Sequence, residues 1–207
     1  MRGAPLLLVV LLLSGCDKPV LTELSDKVHL DVRYASTNNF TGHRLYDEGR
    51  CFLREETGRK LLAANEELKA SGLALKVFDC YRPLSVQRQM WALVPDERYV
   101  ANPEKGSRHN RAAAVDVSLV SLNDGRELWM PTPYDEFTER AHRDYAALPA
   151  EPAANRKKLE DVMTRNGFVG LPTEWWHFDD VDWQNYNVLD IDPKQLKTAP
   201  GKFGRTF

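Results

Sequence analysis

Two residues in the middle of the chain could bind a metal ion. His109 lies in a polar loop, and Asp116 follows seven residues later between Val115 and Val117. A carboxylate buried among apolar residues must be hydrogen-bonded, paired with a cation or bound to a metal, because an unpaired buried charge is costly. Alternatively, Asp116 faces solvent on the polar side of its strand together with Ser118.

A second polar pair, Glu174 and His177, flanks two tryptophans near the C-terminus. A neutral imidazole can bind zinc, and a carboxylate that is not a ligand can take a proton from the water that the metal activates. The local sequence predicts a strand, where residues three apart face opposite sides, so a bulge or a twisted strand end is needed to bring both side chains together. The alternative is an aromatic core strand with polar edges.

Together, His109, Asp116 and His177 offer nitrogen and oxygen ligands without a thiolate. Three protein ligands with a fourth position for water are typical of catalytic zinc, whereas structural zinc sites usually have four protein ligands. The set favours zinc, although the same donors accept other divalent metals.

Arg82 is a candidate for stabilising the negative charge that develops during amide hydrolysis. It lies in Asp79-Cys80-Tyr81-Arg82-Pro83, where a predicted strand meets a predicted helix. A fixed guanidinium stabilises a developing oxyanion, and Asp79 could orient it. The alternative is an ordinary Asp–Arg surface pair at the start of a helix.

The elements that must position these residues follow from hydrophobic periodicity. Proline is tolerated at a helix start, and glycine favours a left-handed helix end, so Pro83 and Gly72 help to set two boundaries. Strands interspersed with helices in this order predict an α+β fold, a single domain with a mostly antiparallel sheet flanked by helices and the zinc site on the sheet. The predicted strands cover residues 28–34, 73–78, 114–120 and 174–178, and the predicted helices cover residues 55–70, 84–93, 136–147 and 152–165.

The N-terminus has the pattern of an export signal. Arg2 precedes an apolar run over residues 6–13, which is too short to cross a hydrocarbon core of about 30 Å. Leu13-Ser14-Gly15-Cys16 resembles the lipobox of bacterial lipoproteins, which predicts lipidation of Cys16 and attachment to the periplasmic face of a bacterial membrane. Asp17 resembles the signal for inner-membrane retention in enteric-type bacteria. The alternative is an ordinary secreted protein. The predicted division is a signal peptide over residues 1–15, a lipidated anchor and tether over 16–27, and the domain with the predicted zinc site over 28–207.

Composition narrows the possible partners. The net charge of the 207 residues is −2, with no long run of one sign, so nothing indicates a nucleic-acid binder, and no protein partner is evident. Cys51 and Cys80 lack the spacing of a zinc knuckle, and in an oxidising compartment they could form a disulfide or remain buried thiols. The other three histidines of the chain, His29, His43 and His142, are interpreted as ordinary polar residues.

These segments resemble the D-alanyl-D-alanine dipeptidases, the zinc peptidases that include the vancomycin-resistance dipeptidase. The resemblance extends from Arg33-Tyr34-Ala35 through Phe178, and its signature is Ser-x-His-x-x-Gly-x-Ala-x-Asp followed by Glu-x-x-His. The chain matches it with Ser107, His109, Ala114 and Asp116 and then with Glu174 and His177, and Tyr81-Arg82-Pro83 is similar to the family's arginine motif. Ala112 departs from the pattern, because the signature has glycine there.

The resemblance implies one zinc ion bound by His109, Asp116 and His177, with Glu174 as general base and Arg82 stabilising the intermediate. Asp135, in Pro131-Thr132-Pro133-Tyr134-Asp135, would bind the substrate's amino terminus, and Ser107 would hydrogen-bond in the same pocket. If position 112 requires a positive φ, alanine strains the loop by about 1 kcal/mol or more.

The function that we expect is hydrolysis of the D-alanyl-D-alanine dipeptide. The dipeptidases of vancomycin resistance are cytoplasmic, whereas this chain carries an export signal, so recovery of D-alanine from wall dipeptide is the expected role. The alternatives are a peptidase that trims longer peptidoglycan stem peptides and a non-catalytic wall-binding lipoprotein. Glu174 argues against the last, because a binding module needs no base beside the metal.

Overall fold

A computed structural model describes residues 21–196 of the chain, and the signal segment, Cys16 and residues 197–207 lie outside the described residues. Within residues 21–196 the chain forms three α-helices, seven strands and several short 3-10 turns. In chain order the strands and α-helices are β1 (Leu21–Glu23), β2 (His29–Leu30), β3 (Phe52–Arg54), α1 (Glu55–Lys69), β4 (Leu73–Asp79), α2 (Leu84–Leu93), β5 (Ala114–Ser121), α3 (Ala150–Arg165), β6 (Phe168–Gly170) and β7 (His177–Asp180).

The main sheet has five strands in the order β2-β4-β5-β7-β6, and β1 pairs separately with β3. Only the β2–β4 pair is parallel, and β4–β5, β5–β7 and β6–β7 are antiparallel. The predicted α+β fold with a mostly antiparallel sheet is therefore confirmed. Within the described residues, no helix is long and apolar enough to span a membrane.

The core forms where α1 and α3 pack against the sheet and against each other. Side chains of strand β5 point alternately to its two faces. On one face, Val115, Val117 and Leu119 lie in the main hydrophobic cluster. Asp116 occupies the opposite face and is also buried, which rules out the solvent-facing alternative. The strand therefore stabilises the core with one face and presents a polar group with the other.

The three helices predicted near residues 55–70, 84–93 and 152–165 are present, but the helix predicted over residues 136–147 is wrong. Only a short 3-10 turn forms there, at Glu139–Ala141, and His142 is extended. The amide of Arg143 donates to the carbonyl of Pro172, 2.9 Å away, which replaces a helical hydrogen bond with a long-range one. A tertiary contact thus overrides local helix propensity.

Two predicted strands are shorter than expected. In the segment predicted over residues 28–34, only His29–Leu30 pairs, and the chain then turns into a 3-10 turn at Arg33–Ala35. The strand predicted over residues 174–178 begins only at His177. The strands β1, β3 and β6 were not predicted, because segments of three residues are too short to show periodicity.

The predicted tether over residues 16–27 is wrong for its C-terminal part. Leu21–Glu23 forms strand β1 and pairs with Phe52–Arg54, and the side chains of Leu21 and Leu24 are buried. Burial of two leucines stabilises this segment against the domain, since each contributes about 1.5–3 kcal/mol. The folded domain therefore includes residues 21–27 and does not begin at residue 28.

Cys51 and Cys80 form a disulfide, which decides between the two alternatives that the sequence left open. The bond joins the residue before β3 to the residue after β4, and both cysteines are buried. It closes a loop between residues that are 29 positions apart.

We expect removal of this disulfide to lower the free energy of unfolding by about 3–4 kcal/mol, because the bond restricts the unfolded chain. Urea unfolding of a Cys51→Ala/Cys80→Ala variant, followed by fluorescence against the oxidised wild type, measures the difference. Adding reductant to the variant should change nothing further. Equal unfolding midpoints for wild type and variant would contradict the stabilising role.

Candidate active site

Three polar side chains converge on one point between strands β5 and β7. Asp116 on β5 lies directly opposite His177, the first residue of β7, and His109 comes from a 3-10 turn at His109–Arg111. Nδ1 of His177 is 3.0 Å from Oδ1 of Asp116 and 3.2 Å from Nε2 of His109. Nε2 of His109 is 3.3 Å from the same Asp116 oxygen. The structure thus brings together all three predicted metal ligands.

The size of this triangle fits a zinc ion. Two ligand atoms that are each about 2.0–2.1 Å from a tetrahedral zinc lie about 3.3 Å from one another. The three edges found here, 3.0, 3.2 and 3.3 Å, are close to that value. The donor set of two imidazoles and one carboxylate also suits zinc and leaves a fourth position for water or substrate.

Each of the three side chains is oriented by a hydrogen bond to a group outside the triangle. Nδ1 of His109 lies 2.7 Å from the carbonyl oxygen of Cys80, and Nε2 of His177 lies 2.9 Å from Oδ1 of Asp179. The hydroxyl of Tyr134 donates to the second oxygen of Asp116 at 2.8 Å. An imidazole that donates one N–H to such a partner directs the lone pair of its other nitrogen at the metal position, an arrangement that is usual for metal-binding histidines.

The electrostatics of the triangle favour a cation. Burial disfavours a charged His177, but its hydrogen bonds to Asp116 and Asp179 outweigh burial and raise its pKa to about 10. Burial likewise opposes ionisation of Asp116, yet His109 and His177 hold the pKa of its carboxyl well below the usual range. A metal ion would compete with a proton for the same place.

Glu174 lies beside the three converging side chains but is not one of the triangle. Its Oε2 is 3.9 Å from Nδ1 of His177, and its amide donates to the carbonyl of Leu171 at 3.2 Å, in a turn that precedes β7. Because Glu174 lies outside the strand, neither a bulge nor a strand twist is needed to bring it to the side of His177. Burial raises the pKa of Glu174 to about 7, with Asp116 adding to the effect and His177 opposing it.

Arg82 lines the same pocket, and the ion pair that it forms with Asp79 is buried. The surface-pair alternative is therefore excluded. Nε and Nη2 of Arg82 donate to Oδ2 of Asp79 at 3.0 and 2.7 Å, and Nη1 donates to Oε1 of Gln87 at 2.9 Å. Asp79 is itself held by the hydroxyl of Tyr46 at 2.9 Å. The guanidinium is thus fixed in its orientation.

Asp135 and Ser107 also line the pocket. Asp135 has a φ of 63°, and its carboxylate accepts from the hydroxyl of Tyr34 at 3.2 Å and from the amide of Phe40 at 3.4 Å. Burial, together with the charge of Asp116, holds the pKa of Asp135 well above the usual range. Oγ of Ser107 accepts from the amide of His109 at 3.2 Å, so it supports the turn that carries this ligand.

The pocket is a cavity of about 150 Å³ that contains every predicted catalytic, metal-binding and substrate-binding residue of the domain. A second recess, of about 410 Å³, adjoins it, and Tyr99, Phe137 and Glu174 line both. The inner cavity is therefore small, with polar and apolar residues in its lining, and it has a larger, partly aromatic recess beside it.

Ala112 does occupy a left-handed position, with a φ of 57°. The strain of about 1 kcal/mol for a residue with a Cβ is therefore present at the end of the ligand turn. The alanine methyl is fully buried in a small apolar cluster with Leu21, Phe52, Tyr81 and Leu189. Burying one methyl contributes about 0.8 kcal/mol, which offsets most of the strain.

Sequence reasoning missed three groups that orient the ligands: the Cys80 carbonyl, Tyr134 and Asp179. The first two come from segments distant in sequence, and no local pattern marks them. The position of Asp179 beside His177 could have been predicted, because Asp179 lies two residues after His177 and residues two apart in a strand share a face.

Comparisons with known proteins identify the family of this chain. Residues 18–192 match the family model of the M15 peptidases, described as D-ala-D-ala dipeptidase. A D-alanyl-D-alanine dipeptidase of Escherichia coli is 35% identical over 84% of this chain and 89% of its own length. One from Enterococcus faecium is 31% identical over 76% of this chain and 88% of its own. The structure of a vancomycin-resistance D,D-pentapeptidase aligns with 66% of this chain and with 76% of the pentapeptidase chain, at 16% identity and a TM-score of 0.43. This likeness is too weak to support a conclusion about function. Since the family model covers most of the chain, the protein belongs to the D-Ala-D-Ala dipeptidase family of peptidases.

Proposed function

We propose that this protein is a zinc-dependent dipeptidase that hydrolyses D-alanyl-D-alanine to two molecules of D-alanine. The observation that carries the proposal is the convergence of His109, Asp116 and His177 on one point, with the buried carboxylate of Glu174 beside them. The family and the names of the relatives favour the same substrate.

His109, Asp116 and His177 would hold the zinc ion. Bound there, it would act as a Lewis acid that polarises the peptide carbonyl and acidifies water. Glu174 takes a proton from the attacking water and delivers it to the nitrogen of the leaving D-alanine. Its raised pKa, about 7, suits both halves of this task, because a general base works best when its pKa is close to the working pH.

Arg82 stabilises the negative charge that develops on the carbonyl oxygen. A guanidinium has five N–H groups, of which Asp79 and Gln87 accept from three, one each on Nε, Nη1 and Nη2. One N–H on each terminal nitrogen is left for the substrate. Since the group is already oriented, it stabilises the transition state without reorganising during the reaction.

Asp135 binds the free amino terminus of the substrate, and Ser107 hydrogen-bonds to the substrate in the same cavity. Burial and the charge of Asp116 raise the pKa of Asp135 well above its usual range, and they outweigh the opposing effects of the Phe40 amide and Arg82. A substrate ammonium beside this carboxyl would favour its ionised form. The demand for a free amino terminus inside a cavity of about 150 Å³ favours a dipeptide over a longer peptide.

Two other functions remain as alternatives. A peptidase that trims longer stem peptides would use the adjoining recess of about 410 Å³, which reaches Glu174 and is lined by Tyr99, Phe137 and His142. A non-catalytic wall-binding lipoprotein would not require a buried base beside the ligands. The dipeptidase accounts for more of the site than either alternative.

We expect the purified protein to release D-alanine from D-alanyl-D-alanine, to lose this activity with a chelator and to regain it with zinc. L-alanyl-L-alanine should be cleaved far more slowly, because the ammonium site, the oxyanion site and the wall of the small cavity contact the substrate at three points, and three contacts distinguish the two configurations. Measurement of free alanine by chromatography tests all of these points. Release of D-alanine from stem pentapeptide but not from the dipeptide would favour the trimming alternative.

Glu174→Gln should keep zinc but lower kcat on D-alanyl-D-alanine by about a hundred- to ten-thousand-fold, because the amide cannot accept the proton. His177→Ala, by contrast, should lose zinc as well as activity. Metal content by atomic emission and steady-state kinetics separate the two effects, and Glu104→Gln, at an exposed position, is the control. Near-wild-type turnover by Glu174→Gln would show that another group is the base.

We also propose that Cys16 is lipidated and that the protein acts at the periplasmic face of a bacterial membrane, to recover D-alanine from wall dipeptide. The support is the sequence Leu13-Ser14-Gly15-Cys16 after a short apolar run, and Asp17 favours the inner membrane in enteric-type bacteria. We expect Cys16→Ser to move the protein from the membrane to the soluble fraction on cell fractionation. An unchanged membrane fraction for this variant would argue against lipidation.

A further inference from the structure

One arginine distant from the ligands in sequence holds the loop that carries both Glu174 and His177. The Arg143 side chain is only 9% exposed and lies against residues 171–177. Its Nε donates to the carbonyl of Leu171 at 2.9 Å, and its Nη2 donates to the carbonyls of Trp175 and His177 at 3.1 and 2.8 Å. The guanidinium of Arg143 thus donates hydrogen bonds to carbonyls at both the beginning and the end of the loop.

Backbone amides within the loop donate to two of the same carbonyl oxygens. The amide of Leu171 donates to the carbonyl of His177 at 3.2 Å, and the amide of Glu174 donates to the carbonyl of Leu171 at 3.2 Å. Two carbonyls therefore accept one bond from within the loop and one from Arg143. Displacing the guanidinium would weaken the closure that brings Glu174 back beside His177.

The guanidinium is a buried cation with little direct ionic pairing. Its carbon lies 4.3 Å from the centre of the Phe178 ring, and the nearest Glu160 oxygen is 3.8 Å from Nη1. Burial lowers the pKa of Arg143 to about 10, which leaves it charged at neutral pH. The loop carbonyls direct their negative ends at this charge. A lysine carries one compact charge and cannot reproduce the planar fork that reaches three carbonyls.

Gly170, immediately before the loop, provides the space for this group. A Cβ at residue 170 would come within 2.2 Å of both the Cζ and the Nε of Arg143. Such contact is impossible, so any side chain here must push the guanidinium away from the carbonyls. Because the displaced atoms are the end of a flexible side chain, the rest of the fold need not move.

We propose that Arg143 is a positioning residue for the reaction, which fixes Glu174 and His177 relative to the zinc site through the carbonyls of the 171–177 loop. This inference rests on the proposed function for the role of Glu174. Its effect on the metal ligand His177 does not depend on which peptide is the substrate.

The test compares Arg143→Ala, Arg143→Lys and Gly170→Ala in the full-length protein. We expect each variant to bind zinc about tenfold or more weakly in competition with a chromogenic chelator, since loss of groups that support a ligand usually costs that much. We expect kcat on D-alanyl-D-alanine to fall by up to about a hundredfold with a smaller change in KM, because the base is misplaced by a fraction of an ångström or more. Millimolar guanidinium should restore part of the activity of Arg143→Ala but not of Gly170→Ala, where the alanine methyl occupies the space.

Arg50→Ala is the matched control. Arg50 makes a two-bond ion pair with Glu23, at 2.8 and 2.7 Å, and does not line the cavity, so its loss should lower stability without changing zinc affinity or kcat. If Arg143→Ala and Gly170→Ala only lower the free energy of unfolding, as this control does, the positioning role is wrong. A wild type that cleaves no D-alanyl-D-alanine would refute the proposed function alone, and the zinc affinities would still decide the role of Arg143. If Arg143→Ala does not fold, the other two variants decide.

Discussion

The pairing of Asp116 with His177 across strands β5 and β7 is the constraint on which the rest of the site depends. Asp116 and His177 are buried 3.0 Å apart with His109 facing both, and a buried carboxylate in this position requires a positive charge beside it, either a proton on an imidazole or a metal ion. The groups that surround Asp116 and His177 therefore set the orientation and the charge of these two side chains. Asp179 and Tyr134 hold the two paired residues from behind, so that the ligand atoms point at one position.

The backbone that carries His109 depends on the covalent frame of the domain. The carbonyl that accepts from His109 belongs to Cys80, and Cys80 is tied to Cys51 by the disulfide. The turn then leaves the site through Ala112 in a left-handed conformation, with its methyl buried. The family's glycine is therefore replaced at small net cost, because apolar burial compensates for backbone strain.

Two ionisable side chains of the cavity match the charges of the proposed substrate, one at its amino terminus and one at the carbonyl oxygen that becomes an oxyanion. Arg82 provides a fixed cation, and Asp135 provides a buried carboxyl whose ionisation is opposed by burial and by Asp116. A substrate that brings an ammonium to Asp135 and develops an oxyanion at Arg82 would match both groups. Arg143 does not line the cavity, and its guanidinium bonds the loop of Glu174 and His177 instead.

The sequence by itself determined the fold class and three of the helices, because strong hydrophobic periodicity encodes them, and the family's motifs predicted which polar residues meet at the site. It could not determine how residues 171–177 turn, and so a strand was predicted where Glu174 lies in a turn. It likewise predicted a helix over residues 136–147, where Arg143 instead bonds distant carbonyls, and a tether where Leu21 pairs into the fold. Each of these outcomes depends on hydrogen bonds and burial between segments far apart in sequence. Such contacts outweigh local propensities of a few tenths of a kcal/mol per residue, and only the tertiary structure specifies them.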